Sequence, residues 1–535
     1  MQVTAEASAM PDILSEKQWF KRLKKAATTG EVIDLGPDNE GPVLANPEHA
    51  DLWRAGRVIP ANAIRRVLTL PESVVKTFDP RGLQIAGARI DGDVDWSHIS
   101  FIRPLHFDGC AFNSAVNLCN GRVTSLHLFE CAITDLRLDE ARIDGALFAV
   151  GLKAVGEIRA IGVHIGGALI LTDATLTNPI GKAMHIDFAR IEGALIARNL
   201  TTTGEICAAG VHIGGELGLT GATLTNLSGR PALHLYNAHI DGALFANRLT
   251  AIGEIRAIGV HISGTLILTD ANLTSTNGDT LALTGATLRH LVLRPKRIRG
   301  PIRLELATIK TFSLPEAQGE SEPHTSAFAE ASMNAAGWSV TDFNGAIRRD
   351  WRVARSYLKR TDYPEFVPQP WFDLADVYDR AGHPDQARSL RLYAENQITG
   401  NTYGVTKAIR RIYAATVGYG YRPFLPVLWL LGVLVVAGFL IWTNQTQFLN
   451  VKILTPKTAN DMCTDTSGYA CFNTIGYTLQ NVVPAASGPL GPDWVLSTSG
   501  WWPVTLGIVL AVLRLVAWGF AALTLAAMTG LLRKR

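Results

Sequence analysis

Hydrophobic and polar positions alternate with a period of two over much of residues 81–313. In Ile165-Gly-Gly-Ala-Leu169-Ile-Leu171 the odd positions share one side, and Ala174 and Leu176 resume this order after a corner. Short alternating segments separated by Gly, Asn, Asp and Thr are typical of strands joined by tight bends. The pattern therefore predicts a mainly β structure for this region.

The alternating region is built from a long internal repeat. Three similar copies begin at Ala141, Ala189 and Ala238, so their starts lie 48 and 49 residues apart. Within a copy the equivalent apolar positions Ile143, Ile165 and Ile191 lie 22 and 26 residues apart, which predicts two coils in each repeat. Coils of this length are typical of a parallel β-helix, in which every coil stacks on the preceding one.

A small alanine recurs two residues before an aliphatic residue, in the pattern A-x-[LI]. The pairs are Ala141/Ile143, Ala174/Leu176, Ala189/Ile191, Ala222/Leu224 and Ala286/Leu288. This pattern resembles the pentapeptide-repeat family, whose motif is A-[DN]-L-x-x, although the five-residue period holds only over short stretches. The resemblance implies a right-handed parallel β-helix, that is, a pentapeptide-like solenoid.

The segments on either side of the repeats predict helices and a linker. Residues 1–80 are expected to form an N-terminal helical cap, with helices at Glu16–Ala27 and Ile59–Leu70. After the solenoid at 81–313, residues 314–340 lose the alternation and gather Pro, Glu and Ser, so a linker is expected. Residues 341–406 are expected to be a small helical domain, in which 370–396 resembles a single tetratricopeptide (TPR) hairpin.

Two apolar runs near the end predict transmembrane helices at 424–443 and 505–532. Between them lies a loop at 444–500, and a basic interfacial segment at 407–423 precedes the first span. Lys and Arg gather before the first span and after the second, which predicts a cytoplasmic location for both termini. Residues 1–11 show no basic segment followed by an apolar one, so no signal peptide is expected.

The order of a β-helix, a helical hairpin, the string TVGYGYRP and two spans is similar to a group of bacterial pentapeptide-repeat-like membrane proteins. These are often loosely labelled membrane-associated oxidoreductases, so the resemblance implies the bacterial inner membrane and a redox activity. The residues argue against that activity, since G-x-G-x-x-G at a strand-to-helix turn, C-x-x-C and C-x-x-C-H are all missing from the sequence. We therefore expect no cofactor and no enzymatic activity.

Ionisable residues recur at fixed repeat positions. One set is His164, His212 and His261, and another is Glu157, Glu205 and Glu254; His185 and His234 recur similarly. Equivalent residues two coils apart lie about 10 Å from each other, too far to share a metal ion. We therefore expect no metal site, and interpret the rows as a solvated ladder or a docking strip. Cys110, Cys119, Cys131 and Cys207 are interpreted as buried thiols.

The loop between the spans offers two further features. Cys463 and Cys471 could form a disulfide in an oxidising compartment. Residues 472–483 predict an amphipathic helix whose polar side chains are Asn473, Thr474, Thr478 and Asn481. This helix would lie either on the outer leaflet or in a pore.

Arg514, the one charge in the second apolar run, would either snorkel to the outer surface or face a pore or partner helix.

The net charge of +3 is too small to predict a concentrated basic face, so no nucleic-acid partner is expected. The expected partners are membrane lipids and either another protein or a second copy of the chain. The favoured function is a non-enzymatic, membrane-anchored scaffold or sensor. The alternative is a homo-oligomeric pore gated by the cytoplasmic solenoid.

Overall fold

The computed structural model describes residues 14–36, 46–275, 278–315, 326–450, 472–483 and 494–529. The chain divides into two compact units, Met1–Ala387 and Arg388–Arg535. The first unit contains a parallel β-solenoid of about ten turns, which confirms the predicted class of fold. The second unit is helical and contains two long apolar helices.

Each coil of the solenoid contains up to four short strands, and each strand pairs in parallel with the strand one coil away. The pairing therefore builds four ladders, numbered here in the order in which the chain passes through them. The first ladder contains Ser100–Phe101, Arg122–Val123, Arg142–Ile143, His164–Ile165, Arg190–Ile191, His212–Ile213, His239–Ile240, His261–Thr269, Thr287–Arg294, Thr308–Ser313 and Ser339–Asn344. The second contains Ile33–Asp34, Leu83–Ala86, Leu105–Asp108, Leu126–Phe129, Leu147–Phe148, Leu169–Ile170, Leu195–Ile196, Leu217–Gly218 and Leu244–Phe245, and then shares the last four strands of the first.

The other two ladders complete each coil. The third contains Val58–Pro60, Arg89–Asp91, Ala111–Phe112, Ala132–Ile133, Lys153–Ala154, Thr175–His185, Thr201–Cys207, Thr223–Thr225, Thr250–Ile252, Asn272–Thr274 and Arg297–Arg299. The fourth contains Val94–Asp95, Val116–Asn117, Leu136–Arg137, Ile158–Arg159, Leu233–His234, Ile255–Arg256, Leu281–Ala282, Ile302–Arg303 and Met333–Asn334, and shares the two long strands Thr175–His185 and Thr201–Cys207 with the third.

The register confirms that each 48- or 49-residue repeat makes two coils. The stacked residues are Ile143, Ile165, Ile191, Ile213, Ile240, Ile262 and Leu288, so successive coils contain 22, 26, 22, 27, 22 and 26 residues. Every second coil is therefore longer. The extra residues lie at the corner between the third and fourth ladders, where the chain advances seven residues from Thr177 to Met184 but only three from their partners Thr203 to Ile206.

The corner before the first ladder has the same backbone conformation in every coil. The residues with positive φ there are His98, Asn120, Glu140, Gly162, Phe188, Gly210, Asn237, Gly259, Gly285, Leu306 and Gly337. Glycine and asparagine tolerate this left-handed conformation best. The recurrent Gly and Asn in the sequence are therefore explained by the bend that closes each coil.

The interior of the solenoid is filled by aliphatic side chains. Ile143, Leu176 and Ile191 are completely buried, as are the small Ala174 and Ala189 that precede aliphatic residues in the repeat. Two interior voids of about 20 Å³ each are lined entirely by Ala, Val, Ile, Leu and Met side chains. A space of this size holds no more than about one water molecule, so the interior is a packed core.

Helices lie before the main run of coils. They are α1 (Glu16–Thr29), α2 (Ala61–Leu68) and α3 (Glu72–Val75), with short 3₁₀ segments at Pro47–Leu52 and Ala55–Arg57. α1 packs against α2, and Trp19, Leu23 and Ile64 are buried. The expected helical cap at residues 1–80 thus also contains two strands that belong to the ladders, Ile33–Asp34 and Val58–Pro60.

The solenoid continues beyond the expected boundary at residue 313. Met333–Asn334 and Ser339–Asn344 pair with the preceding coil, so the expectations of a linker at 314–340 and of a helix from 341 are wrong for these residues. Trp338, Val340 and Phe343 keep the coil's inward apolar positions. A 3₁₀ turn at Ser326–Phe328 precedes these two strands. The helices that follow them are α4 (Ala346–Arg349), α5 (Trp351–Leu358), α6 (Gln369–Arg380) and α7 (Pro384–Gly400).

Among the described residues, the second unit has four further helices after α7. These are α8 (Gly404–Val417), α9 (Leu425–Thr443), α10 (Thr474–Val482) and α11 (Trp501–Met528), with 3₁₀ turns at Gly418–Gly420 and Gln445–Gln447 and an antiparallel pair of strands, Phe448–Asn450 and Trp494–Leu496. Ala437, Val482 and Ala517 form a small buried cluster where α9, α10 and α11 meet. Only 17% of the most apolar stretch of α9 and 11% of that of α11 are buried. Both helices are long and apolar enough to span a membrane.

Candidate functional site

The first candidate site is a row of outward-facing cationic and aromatic side chains on the first ladder, here called the histidine row. It comprises Arg122, Arg142, His164, Arg190, His212, His239 and His261, one from each of seven consecutive coils. Inward-facing aliphatic residues alternate with them, so the row is fixed by the same register that forms the core.

Carboxylates at the following corner bridge neighbouring members of the histidine row. Asp144 accepts hydrogen bonds from Nε of Arg122 and Nε of Arg142, each at 2.9 Å. Asp241 lies 3.0 Å from Nε2 of His239 and 3.5 Å from Nε2 of His212. One carboxylate thus contacts two members of the histidine row that lie one coil apart.

Three histidines stack at one end of the histidine row. The ring centroids of His212 and His239 are 5.2 Å apart, and those of His239 and His261 are 4.6 Å apart, with nearly parallel planes. His212 and His261 occupy one position of the 48- or 49-residue repeat, and His239 is not a member of that set. That residue lies in the intervening coil, and it brings the two expected residues into one continuous surface.

The second candidate site is centred on Cys207, one rung from His185 and one rung from His234. His185 and Cys207 are paired across adjacent coils, as are Cys207 and His234. The Cys207 sulfur lies 3.6 Å from Nδ1 of His234, and the same Nδ1 lies 3.6 Å from Oε1 of Glu205. We call Glu205, Cys207 and His234 the thiol triad.

His185 is held on both sides of its ring. Its Nδ1 lies 3.2 Å from Oε1 of Glu157, and its Nε2 lies 2.8 Å from Oδ2 of Asp187 and 2.9 Å from Nζ of Lys182. Asp187 also accepts a hydrogen bond of 2.8 Å from the backbone N–H of Ala209. The carboxylate and thiol of the two neighbouring rungs therefore form one connected polar cluster.

Burial and hydrogen bonds shift the pKa values of Cys207 and Asp187 in opposite directions. Burial, followed by the nearby Asp187 carboxylate, raises the pKa of the Cys207 thiol to about 12, so the thiol is protonated at neutral pH. Burial also acts to raise the pKa of Asp187, but hydrogen bonds from Cys207, Ala209 and His185 outweigh it and hold that pKa below its usual value. At neutral pH the cluster thus contains a buried neutral thiol beside an ionised carboxylate.

The expected glutamate set does not act as one unit. Glu157 contacts His185, Glu205 belongs to the thiol triad, and Glu254 accepts hydrogen bonds of 2.9 and 2.7 Å from Arg256. All three lie beside the fourth ladder, whereas His164, His212 and His261 lie on the first. The two expected sets therefore occupy different faces.

Sequence reasoning missed the role of Cys207 because equivalent positions were compared only at the 48-residue period. Cys207 follows His185 by 22 residues and precedes His234 by 27, which are the lengths of single coils. The coil spacing seen for Ile143, Ile165 and Ile191 could therefore have placed a thiol between the two histidines.

The third candidate site lies in the helical unit. Asn473, Thr474 and Thr478 line a groove of about 940 Å³ between α9 and α10. Their polar groups are used locally: the Asn473 side chain accepts from Gly476 N at 3.0 Å, and Thr478 donates to the Thr474 carbonyl at 2.7 Å. Asn481 likewise donates to the Tyr477 carbonyl at 3.0 Å and does not line the groove.

Arg514 lies near the middle of α11 and is exposed. The helix begins at Trp501, thirteen residues earlier, so Arg514 lies more than three turns from its start, whereas snorkelling to the outer surface needs a position near the end of the span. The guanidinium lies 5.5 Å from the centroid of the Trp518 ring. Cys463 and Cys471, the expected disulfide, lie outside the described residues.

Comparison with models of known protein families, with curated proteins and with solved structures finds no match for this chain. The resemblance to pentapeptide-repeat proteins therefore rests on the residues of the repeat alone.

Proposed function

We propose that the chain is a non-enzymatic scaffold or sensor, anchored in the bacterial inner membrane by α9 and α11, that binds a protein or ligand through its solenoid surface. The observation that supports this most directly is the histidine row, in which seven consecutive coils present cationic or aromatic groups at one register position. Rigid, periodic surfaces of this kind are what solenoid proteins use for binding.

A non-catalytic role agrees with the way the polar groups are arranged. The interior voids are small and aliphatic, and side chains of the histidine row pair with surface carboxylates such as Asp241. The finer class follows the same reasoning: we propose a right-handed, pentapeptide-like solenoid, since parallel crossovers are almost always right-handed. We propose likewise that residues 341–406 include a TPR-like hairpin formed by α6 and the start of α7.

Site-specific photo-crosslinking tests the docking function. A photoreactive residue at His239 should give one cross-linked species of defined mass in cells, and one at Ile252, exposed on the third ladder, should not. A mass equal to two copies of the chain would identify the partner as a second copy. Equal cross-linking at both positions, or none at His239, would contradict a docking function of the histidine row.

We propose that both termini are cytoplasmic, because Lys407, Arg410, Arg411 and Arg422 precede α9, while Arg533, Lys534 and Arg535 follow α11. Single cysteines introduced at Ser8 and Lys534 in a chain that lacks its own six should resist a membrane-impermeant thiol reagent on intact cells and react after lysis. Labelling of either position on intact cells would overturn this topology.

A pore is the second candidate function, and two observations favour it. The groove between α9 and α10 carries polar side chains, and the exposed Arg514 lies in the middle of an apolar helix, where a charge facing lipid costs about 2.5–3.5 kcal/mol or more. Several copies would be needed to enclose a water path. A monomeric detergent particle without ion flux in liposomes excludes the pore, whereas a stable oligomer with flux replaces the scaffold.

A further inference from the structure

The thiol triad combines three metal-ligating side chains that come from two adjacent coils. Glu205 and Cys207 lie on the same strand, two residues apart, and His234 lies on the next rung beside Cys207. The ligating atoms of all three lie within 4.8 Å of one another. The register that stacks the coils thus fixes their spacing without any contribution from a loop.

The distances within the triad match those of a tetrahedral zinc site. A zinc–sulfur distance near 2.3 Å and zinc–nitrogen and zinc–oxygen distances near 2.0–2.2 Å place neighbouring ligand atoms about 3.5 Å apart. The sulfur of Cys207 and Oε1 of Glu205 both lie 3.6 Å from Nδ1 of His234. One ion could therefore contact all three atoms with little movement of the side chains.

The Glu205 carboxylate of the triad is buried and only weakly paired. The Glu205 side chain is only 7% exposed, and the nearest guanidinium group that contacts it, from Arg230, lies 4.0 Å away at Oε2. Oε1 points instead to His234. A buried carboxylate so weakly paired is costly, and a bound cation would compensate it.

Asp187 and His185 extend the triad on the other side of Cys207. The ligating atoms of His185, Asp187 and Cys207 also lie within 4.8 Å of one another. Lys182 contacts His185 and therefore opposes a cation on that side, whereas Asp187 hydrogen-bonds the Cys207 thiol. Asp187 therefore hydrogen-bonds the thiol from outside the triad, since its carboxylate is grouped with His185 and Cys207 and not with Glu205 and His234.

We propose that Glu205, Cys207 and His234 bind a divalent transition-metal ion of the zinc class. The thiolate and imidazole ligands select such ions over Mg²⁺ and Ca²⁺, which prefer oxygen ligands. On binding, the metal–sulfur bond forms as the thiol releases one proton to solvent. This inference rests on the proposed sensor function, because it names the metal ion as the ligand of the sensor. Metal binding is measured separately from docking and from membrane topology.

Cobalt spectroscopy tests the proposal on the full chain in detergent, with any affinity tag removed and bound metal stripped by a chelator. One equivalent of Co²⁺ should produce a thiolate-to-cobalt charge-transfer band, which Zn²⁺ should then abolish. In weak buffer, Zn²⁺ should release about one proton per chain. Zn²⁺ should also raise the temperature of solenoid unfolding, because it binds only the folded register.

Three variants and two controls make the result specific. Cys207→Ser should abolish the charge-transfer band, and His234→Ala and Glu205→Gln should weaken Zn²⁺ binding by at least tenfold in a chelator competition. Cys119→Ser removes a thiol outside the triad, and His383→Ala removes an exposed histidine outside both the triad and the histidine row, so neither should alter the band. Circular dichroism identifies any variant that fails to fold, and Glu205→Gln, which preserves the side chain's shape, then decides.

Absence of a thiolate band in the folded wild-type chain would overturn the proposal, as would a band that persists in folded Cys207→Ser. Full Zn²⁺ affinity in both His234→Ala and Glu205→Gln would also overturn it. A positive metal result together with negative photo-crosslinking at His239 would retain the metal site and reject the docking row. The opposite combination would do the reverse.

Discussion

The solenoid and the two long helices use the same aliphatic residues in opposite ways. In the solenoid, Ile143 and Ile191 are completely buried, because each coil covers the next. In α9, Leu428 and Val435 are 63% and 70% exposed. The apolar surface of the solenoid is thus removed from water by the chain's own coils, whereas that of α9 and α11 requires lipid or another chain.

This contrast concerns where stability arises. A solenoid coil contacts only its neighbours, so its free energy of unfolding depends on packing and register between adjacent coils. The exposed faces of α9 and α11 contribute little to folding of the isolated chain, since their environment hardly changes when the chain folds. Substitutions of the same chemical kind should therefore have different effects in the two regions.

The largest difference is expected for removal of aliphatic side chains. Ile191→Ala should lower the free energy of unfolding by about 2–5 kcal/mol, because it leaves a cavity in a packed interior. Leu428→Ala, at an exposed position of α9, should change it by less than about 0.5 kcal/mol. Denaturant unfolding in detergent measures both, and equal effects would show that the contrast is wrong.

Glycine substitutions should sharpen the same contrast. A Cβ atom on Gly166 would lie 2.2 Å from the Asp144 carbonyl oxygen of the preceding coil, so Gly166→Ala should destabilise the solenoid by about 1–3 kcal/mol. Apart from the backbone of α9 itself, none of the described residues places an atom within 4 Å of a Cβ on Gly432, and Gly432→Ala should be neutral or slightly stabilising. Thermal unfolding of the two variants beside the wild type checks this, and an unaffected Gly166→Ala would refute the close coil contact.

Acid should weaken the solenoid through His127. Burial, and next the neighbouring His106, lowers the pKa of His127 to about 4, while its ring stacks on His106 at 3.8 Å and on Phe148 at 4.6 Å. The folded state therefore favours the neutral ring, and stability present above pH 6.5 is lost as the pH falls towards 4. Because the ring is partly exposed, the loss should be about 1 kcal/mol.

His127→Phe serves as the matched variant for this pH effect. It keeps an aromatic ring in the stack but cannot take up a proton, so urea unfolding at pH 7 and pH 5 should differ less than in the wild type. An unchanged pH dependence in His127→Phe would assign the acid sensitivity to other groups.

Left-handed corner residues offer a small stabilising change. Leu306 is 67% exposed and has a φ of 57°, a conformation that disfavours its branched side chain. Leu306→Gly should therefore raise the free energy of unfolding by about 0.5–1 kcal/mol. Asn237→Gly, at the same corner with a φ of 51°, is the control and should have almost no effect. Destabilisation by Leu306→Gly would show that contacts of the leucine outweigh its backbone strain.

The smallest effect is expected for Arg514→Gln. If α9 and α11 only anchor a scaffold, removal of this charge should leave solenoid stability unchanged and membrane insertion unchanged or slightly better. Liposomes that contain either protein should show no ion flux. Flux that depends on the Arg514 charge would favour the pore, in which α11 faces a water path enclosed by several copies of the chain.

The period of the apolar residues was sufficient to predict the coils, because inward positions such as Ile143, Ile165 and Ile191 repeat locally. It was not sufficient for the end of the solenoid, where Trp338 and Phe343 occupy inward positions without the A-x-[LI] pattern. The site around Cys207 was also missed, since its ligating atoms come from coils of unequal length. Local patterns reveal which side of a strand is buried, whereas contacts between strands require the register.

The recurrent left-handed corner makes the length of the solenoid adjustable in whole steps. Two equivalent corners, such as Gly162 and Phe188, enclose one complete coil, so removal of the residues from Val163 to Phe188 would join equivalent backbone positions. Each such step would shorten the solenoid by about 4.8 Å, the spacing of neighbouring strands. Gene duplication or deletion can therefore change the length of the solenoid by whole coils, and with it the distance between features at its two ends.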